Sequence, residues 1–305
     1  MARSLDDRPA AITRPARGEA AAPPPRALRG PRLELTALFG VPGALFVAVV
    51  ILLPLVALLY RTFQSGAFLT SLRLPLVVAA LRLTAVTSAI TLLMALAFGT
   101  PLGWWLARAR FPGKRGLDAL VDLPVVLPPV VAGVALLMAF GRRGLLGERL
   151  SAGFTVPGLG LTVPGLSLSF STAAVILAQL FVATPFYIRA ARVGFARIAP
   201  ELEEAAAIDG ASPWQVFRQI TVPLALPALS SGLVLCWARA VGEFGATLMF
   251  AGNFIGRTQT MPLAIMSAME TDLYAALALA VLLVLVAFAV LLGSRWLAGR
   301  HGVEL

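Results

Sequence analysis

Arg239 and Glu243 stand four residues apart in a stretch, 222–250, that carries no other charge. At that spacing two side chains of a helix share one face and can form an ion pair. A charge inside so apolar a run is costly, and by default it faces a protein interior or a water pathway. Two readings stay open for the pair. It is a buried ion pair that fixes helix packing, or it belongs to a gate on a translocation pathway with Gly242, Gly245 and Thr247. Gly242 and Gly245 flank the carboxylate and allow close helix packing or a local break. A bare carboxylate repels anions, so Glu243 suits a role as the partner of Arg239, or as part of a gate, better than direct binding of an anion.

The remaining chemical inventory is sparse. Cys236 is the only cysteine and His301 the only histidine. No intramolecular disulfide, no metal cluster and no nucleophile–base arrangement is expected from such a set. The sequence therefore points to no catalytic residue, no metal and no cofactor. Gly113-Lys114-Arg115 lacks the upstream glycine and the hydroxyl of a phosphate-binding loop, so the chain cannot draw on a nucleotide by itself.

The elements that carry these residues read as membrane spans. Of 305 residues, 59% are hydrophobic and 13% charged, against about 25% charged in a soluble domain. A spanning helix needs about 20 apolar residues, and such runs fall at 35–60, 83–107, 123–141, about 171–188, 222–250 and 273–294. The expected fold is an all-α membrane protein, a six-transmembrane-helix bundle at 35–298. A basic, disordered tail precedes it at 1–34 and a short tail follows at 299–305. Pro54 should kink the first helix. Pro124, Pro128 and Pro129 crowd the start of the third, where missing N–H groups matter least.

The net charge of +10 speaks of topology, not of nucleic acid, because no soluble basic face exists to hold a duplex. With the N-terminus inside, 17 Lys and Arg fall in inner segments and 6 in outer ones. That asymmetry places both termini in the cytosol.

The longest charged inner segment, Ala199 to Pro223, has a clear local grammar. Pro200 fits a first helical turn, and Glu201, Glu203 and Glu204 complement the positive end of the helix dipole. Gly210 suits the residue just past a helix end. Ser212 caps a second short helix that has Pro213 in its first turn. The product is a helix–turn–helix elbow at the membrane surface.

Glu204, Ala205, Ala206, Gly210, Ile220 and Pro223 resemble, at matching spacing, the E-A-A-x3-G-x9-I-x-L-P signature of bacterial ABC importer permeases. Val222 replaces the usual leucine. The resemblance implies that the elbow docks on a separate ATP-hydrolysing subunit in the bacterial inner membrane. A second set of residues resembles the molybdate-type permeases. It comprises Gly242-Glu-Phe-Gly-Ala-Thr247, Ala251-Gly-Asn253, Thr258-Gln-Thr-Met-Pro-Leu-Ala-Ile265, Asp122–Val130 and Phe140-Gly141. It spans roughly 75–297. Sulfate/thiosulfate permeases share the G-E-F-G-A core, and tungstate permeases stand close. The resemblance implies a homodimer, two ATP-binding cassette subunits and a periplasmic oxyanion-binding protein, with no enzymatic activity in this chain.

A reading from another class is a secondary transporter driven by an ion gradient, in which intramembrane carboxylates and broken helices also occur. That reading leaves the elbow without a use. The outer loop at 142–171 is a docking surface for the binding protein, a periplasmic cap or an interfacial segment.

Overall fold

The computed structural model describes residues 32–66, 68–152, 154–155, 162–163, 165 and 167–300. Of the tails expected at 1–34 and 299–305, residues 1–31 and 301–305 lie outside the described residues, while 32–34 and 299–300 are helical. The chain divides into two units, Met1–Pro54 and Leu55–Leu305. Helix α1 (Arg32–Gln64) crosses that division and contains both Pro42 and Pro54. In the first unit its large apolar side chains, among them Leu45, Phe46 and Ile51, are exposed.

The second unit is built from α2 (Phe68–Ser71), α3 (Pro75–Arg108), α4 (Lys114–Val126), α5 (Pro129–Phe140) and α6 (Gly147–Ala152). A two-residue antiparallel pair follows, β1 (Phe154–Thr155) and β2 (Thr162–Val163), with Phe154 opposite Val163. Then come α7 (Thr172–Ala196), α8 (Pro200–Ile208), α9 (Pro213–Val216), a π turn (Phe217–Thr221) and α10 (Val222–Val241). The chain continues through α11 (Gly245–Ala251) and α12 (Met261–Thr271) to α13 (Leu273–Arg300). The expected all-α membrane fold is therefore present. Among the described residues α1, α3, α7, the continuous rod Pro213–Val241 and α13 are long and apolar enough to cross a membrane. A sixth span is reached by joining α4 to α5 across a 116° bend.

That bend corrects the expected third helix. Each residue before a proline is pushed from the helical region toward extended backbone. Leu127 (ψ 134°) and Pro128 (ψ 136°) both obey, so the consecutive prolines cut the run, and only Pro129 begins a helix. The expected fifth helix, 222–250, is also two elements. It stops at Val241, and α11 starts afresh at Gly245. The fourth is longer than expected, because Ser171 caps it by accepting the Ala174 N–H and it runs on to Ala196.

Helix α7 is the hub. Its Ala183, Tyr187, Ala191 and Phe195 pack with Ala95 of α3 and Ala225, Leu229, Cys236 and Ala240 of α10. Lipid gives no hydrophobic drive between helices, so close backbone approach over small residues must supply the attraction. A Cβ at Gly232 of α10 would stand 2.6 Å from the Ala190 Cβ of α7. A second cluster joins α5, α7 and α11 through Ala132, Leu136, Val175, Val182 and Phe250. A third joins Val77 and Ala80 of α3 to Met261 and Ala264 of α12 and Leu279 of α13.

Candidate functional site

The elbow folds as its local chemistry dictates. Pro200 opens α8, with Glu201 and Glu203 in its first turn. Gly210 ends it in left-handed backbone (φ 88°). The Gly210 N–H bonds the Ala207 carbonyl at 3.1 Å and the Ala211 N–H bonds the Ala206 carbonyl at 3.0 Å. These crossed bonds satisfy carbonyls that the helix end would otherwise leave open. Ser212 then accepts the Gln215 N–H, while the Gln215 side chain accepts the Ser212 N–H, a reciprocal capping box. Helix α9 passes into the π turn, where the Val222 N–H reaches back to the Phe217 carbonyl. Trp104, Trp214 and Phe195 pack around the Phe217 ring at 5.5, 5.8 and 6.4 Å.

Of the signature residues, Glu204, Ala205, Gly210 and Pro223 are exposed, and Ala206 and Ile220 are half-buried. Exposed Ile208 and Trp214 flank them. The elbow thus shows a mixed outer face, with exposed Glu201, Glu204, Asp209 and Arg218 beside exposed Leu202, Ile208 and Trp214. Its inner side is tied down by Glu203, which accepts from Arg108 Nη2 at 2.8 Å and from Thr221 Oγ1 at 2.7 Å. Two further ion pairs fasten α4 to α7: Arg189–Asp122 at 2.5 Å and Arg192–Asp118 at 2.6 Å. Asp118 and Asp122 are four apart on α4, so the pairs form two rungs on one face.

The other end of α10 carries the intramembrane pair. Over 19 residues at 1.5 Å rise, the two ends are about 28 Å apart. Glu243 sits in the break after α10 rather than within a helix, and it is 1% exposed. Its Oε2 lies 2.6 Å from Arg239 Nη1 without a well-aligned hydrogen bond. Its Oε1 accepts the Ala246 N–H at 2.7 Å, which caps α11. One carboxylate therefore pairs with the last turn of α10 and starts the next helix. Gln179 of α7 supports the same break. It donates to the Ala240 carbonyl at 3.2 Å and accepts from Thr91 of α3 at 3.0 Å.

Gly245 has a steric role: a Cβ there would stand 2.7 Å from the Pro129 Cβ on α5. Gly242 is exposed, and a Cβ would meet only the Ala238 carbonyl at 3.3 Å. Thr247 is fully buried, and its hydroxyl has no hydrogen-bond partner among the described residues. Arg239, Gly242, Glu243 and Gly245 line a cavity of about 280 Å³ with Pro129, Val130, Phe244, Leu248 and Met249. Thr247 is not in its lining.

The Thr258-Gln-Thr260 run is buried and folds the turn from α11 to α12. Thr258 Oγ1 accepts the Phe254 N–H and donates to the Gly252 carbonyl. The Met261 N–H donates to Thr84 Oγ1 on α3 at 2.8 Å. Sequence reasoning missed Arg108, Thr221, Gln179 and the anchoring role of Glu203. Their partners lie 18 to 95 residues away, so no local pattern marks them.

The profile of the binding-protein-dependent transport system inner membrane component family matches residues 99–301. The chain belongs to that family. The chain is 44% identical over 252 residues to the molybdenum transport system permease protein ModB of Mycobacterium tuberculosis, covering 82% of this chain and 89% of the relative. It is 40% identical to the ModB protein of Escherichia coli K12, over 69% of this chain and 89% of that one. It is 34% identical to the molybdate/tungstate permease protein WtpB of Thermococcus kodakarensis, over 86% and 96%. Its fold is that of solved ABC transporters. A bacterial alginate transporter aligns with a TM-score of 0.67 at 17% identity, over 88% of this chain and 95% of that chain. The methionine transporter MetNI aligns with a TM-score of 0.55 at 20% identity, over 74% and 95%. The chain is thus a permease subunit, not an enzyme.

Proposed function

We propose that this chain forms the translocation path of an ATP-driven importer for a tetrahedral oxyanion, molybdate first. The observation that carries the substrate is the 44% identity to a molybdenum permease across 82% of the chain. Tungstate is the second cargo, favoured by the likeness to a molybdate/tungstate permease. The chain works as a homodimer in the bacterial inner membrane, with both termini in the cytosol. Two copies of an ATPase subunit power it, and a periplasmic binding protein selects the oxyanion.

In this reading the exposed face of α8 is the grip for the ATPase. Glu204 and Ala205 lie on it, and Ala206, Gly210, Ile220 and Pro223 shape it. Closure of the ATPase pair moves the elbow, and α10 carries that motion to the break at Gly242. There Arg239 and Glu243 cancel each other's charge. A neutral pair neither traps a dianion nor repels it, which suits a gate beside a pathway better than a binding site. Gly245 and Thr247 hold α11 at that gate.

The test is uptake competition in a strain that lacks this chain. Loss of molybdate uptake with sulfate uptake intact supports the assignment. Loss of sulfate uptake with molybdate uptake intact overturns it.

A further inference from the structure

Glu203 is absent from the residues that carry the elbow's family resemblance. Yet along α8 it is, with Ala206, one of only two residues that are not exposed. Positions three apart share a helix face, so this is the side that α8 turns to the rest of its unit. A single oxygen, Oε1, receives both the Arg108 guanidinium and the Thr221 hydroxyl. Arg108 is in the last turn of α3. Thr221 closes the π turn that feeds α10 and is 1% exposed.

Three elements meet at that one atom. The pair is substantially shielded, with side-chain exposures of 26% and 24%. The Arg108 Nε is buried and finds no hydrogen-bond partner among the described residues, so the guanidinium is anchored through Glu203. The π turn matters here because its extra residue sets which face of the rod Thr221 presents. Charge-assisted bonds of this length are the stronger kind. The alternative route from α8 to α10 runs through the Gly210 turn and the exposed Ser212 cap, where few buried contacts resist bending.

We propose that Glu203 is a positioning residue, a strut that passes motion of the elbow to α3 and α10. The proposal rests on the reading of the elbow as the ATPase grip. Without the strut the elbow still docks, but part of each ATPase stroke is lost in bending the loop.

The experiment reconstitutes the complete transporter, with ATPase and binding protein, in proteoliposomes. It records molybdate moved per ATP hydrolysed. Glu203→Gln and Arg108→Gln are each expected to lower that ratio about fivefold, as loss of a shielded ion pair would. The ATPase subunit should still co-purify at the unaltered ratio. Thr221→Val removes one hydrogen bond and should lower the ratio about twofold. The charge swap Arg108→Glu with Glu203→Arg should recover most of the loss, which a general folding defect would not allow. An unchanged ratio in both single variants, or a swap no better than either, overturns the strut. Loss of the ATPase subunit from Glu203→Gln also overturns it, since Glu203 would then be a docking contact. Gly210→Val and Glu204→Ala report on the grip itself: if both keep full uptake, the elbow reading fails, and the strut fails with it for that separate reason.

Discussion

Glu243 Oε2 lies 2.6 Å from Arg239 Nη1, while Oε1 of the same carboxylate accepts the Ala246 N–H at 2.7 Å. The ion pair and the start of α11 are therefore one device. It spans the three residues where the α10 rod gives way to a new helix.

The two charges are unequally placed, and that predicts unequal costs. Glu243 is 1% exposed and Arg239 27%. Arg239→Met strands a buried carboxylate and should cost about 3–5 kcal/mol. Arg239→Met with Glu243→Gln removes both charges and keeps an acceptor for Ala246, so it should be clearly more stable than Arg239→Met alone. Thermal unfolding in nanodiscs measures both. A double variant that is no better than the single one would mean that the two groups are not coupled.

Gly245 and Gly242 separate packing from backbone geometry. Gly245→Ala drives a Cβ against Pro129 at 2.7 Å, with Pro129 backbone 3.3 Å away. It should destabilise by about 1–3 kcal/mol. Gly242→Ala meets only a carbonyl at 3.3 Å and has an ordinary φ of −82°. It should stay within about 0.5 kcal/mol. Equal unfolding temperatures for the two variants would contradict the close crossing of α5 and α11.

Much of the elbow was legible because its signals are local. Pro200, Gly210 and Ser212 each act on the next few residues, and each sits where its chemistry requires. The break at Leu127–Pro128 was not legible as one, and at Gly242–Phe244 the sequence left a local break and close helix packing as alternatives. The runs across them are apolar on both sides, and hydrophobicity does not distinguish one helix from two. The signals were present all the same: consecutive prolines in one, and Gly-x-x-Gly around a buried carboxylate in the other. The Thr258–Thr260 run pointed to a family, and its visible work is to staple the turn between α11 and α12.

The rungs from α4 to α7 carry a smaller prediction. None of the residues of α4 is buried, and its ion pairs are partly open, with Asp118 at 24% and Asp122 at 29% exposure. Asp118→Asn and Asp122→Asn should each cost below about 1 kcal/mol. Together they should raise hydrogen exchange across Lys114–Val126 while leaving the core of α7 protected. Unaltered exchange in α4 would show that packing, not charge, holds it.

The central claim is that an outside motor drives this chain through the elbow. Gly210 tests it most directly. Its φ of 88° excludes β-branched side chains on backbone grounds, although a Cβ there would meet nothing within 4 Å. Any effect is therefore one of the turn and not of a clash. The measurement is ATP-dependent uptake of radiolabelled molybdate into proteoliposomes that hold this chain, its ATPase subunit and its binding protein. Gly210→Val should abolish uptake, and Gly210→Asn, which tolerates left-handed backbone, should retain most of it. Full ATP-driven uptake by Gly210→Val would contradict the account.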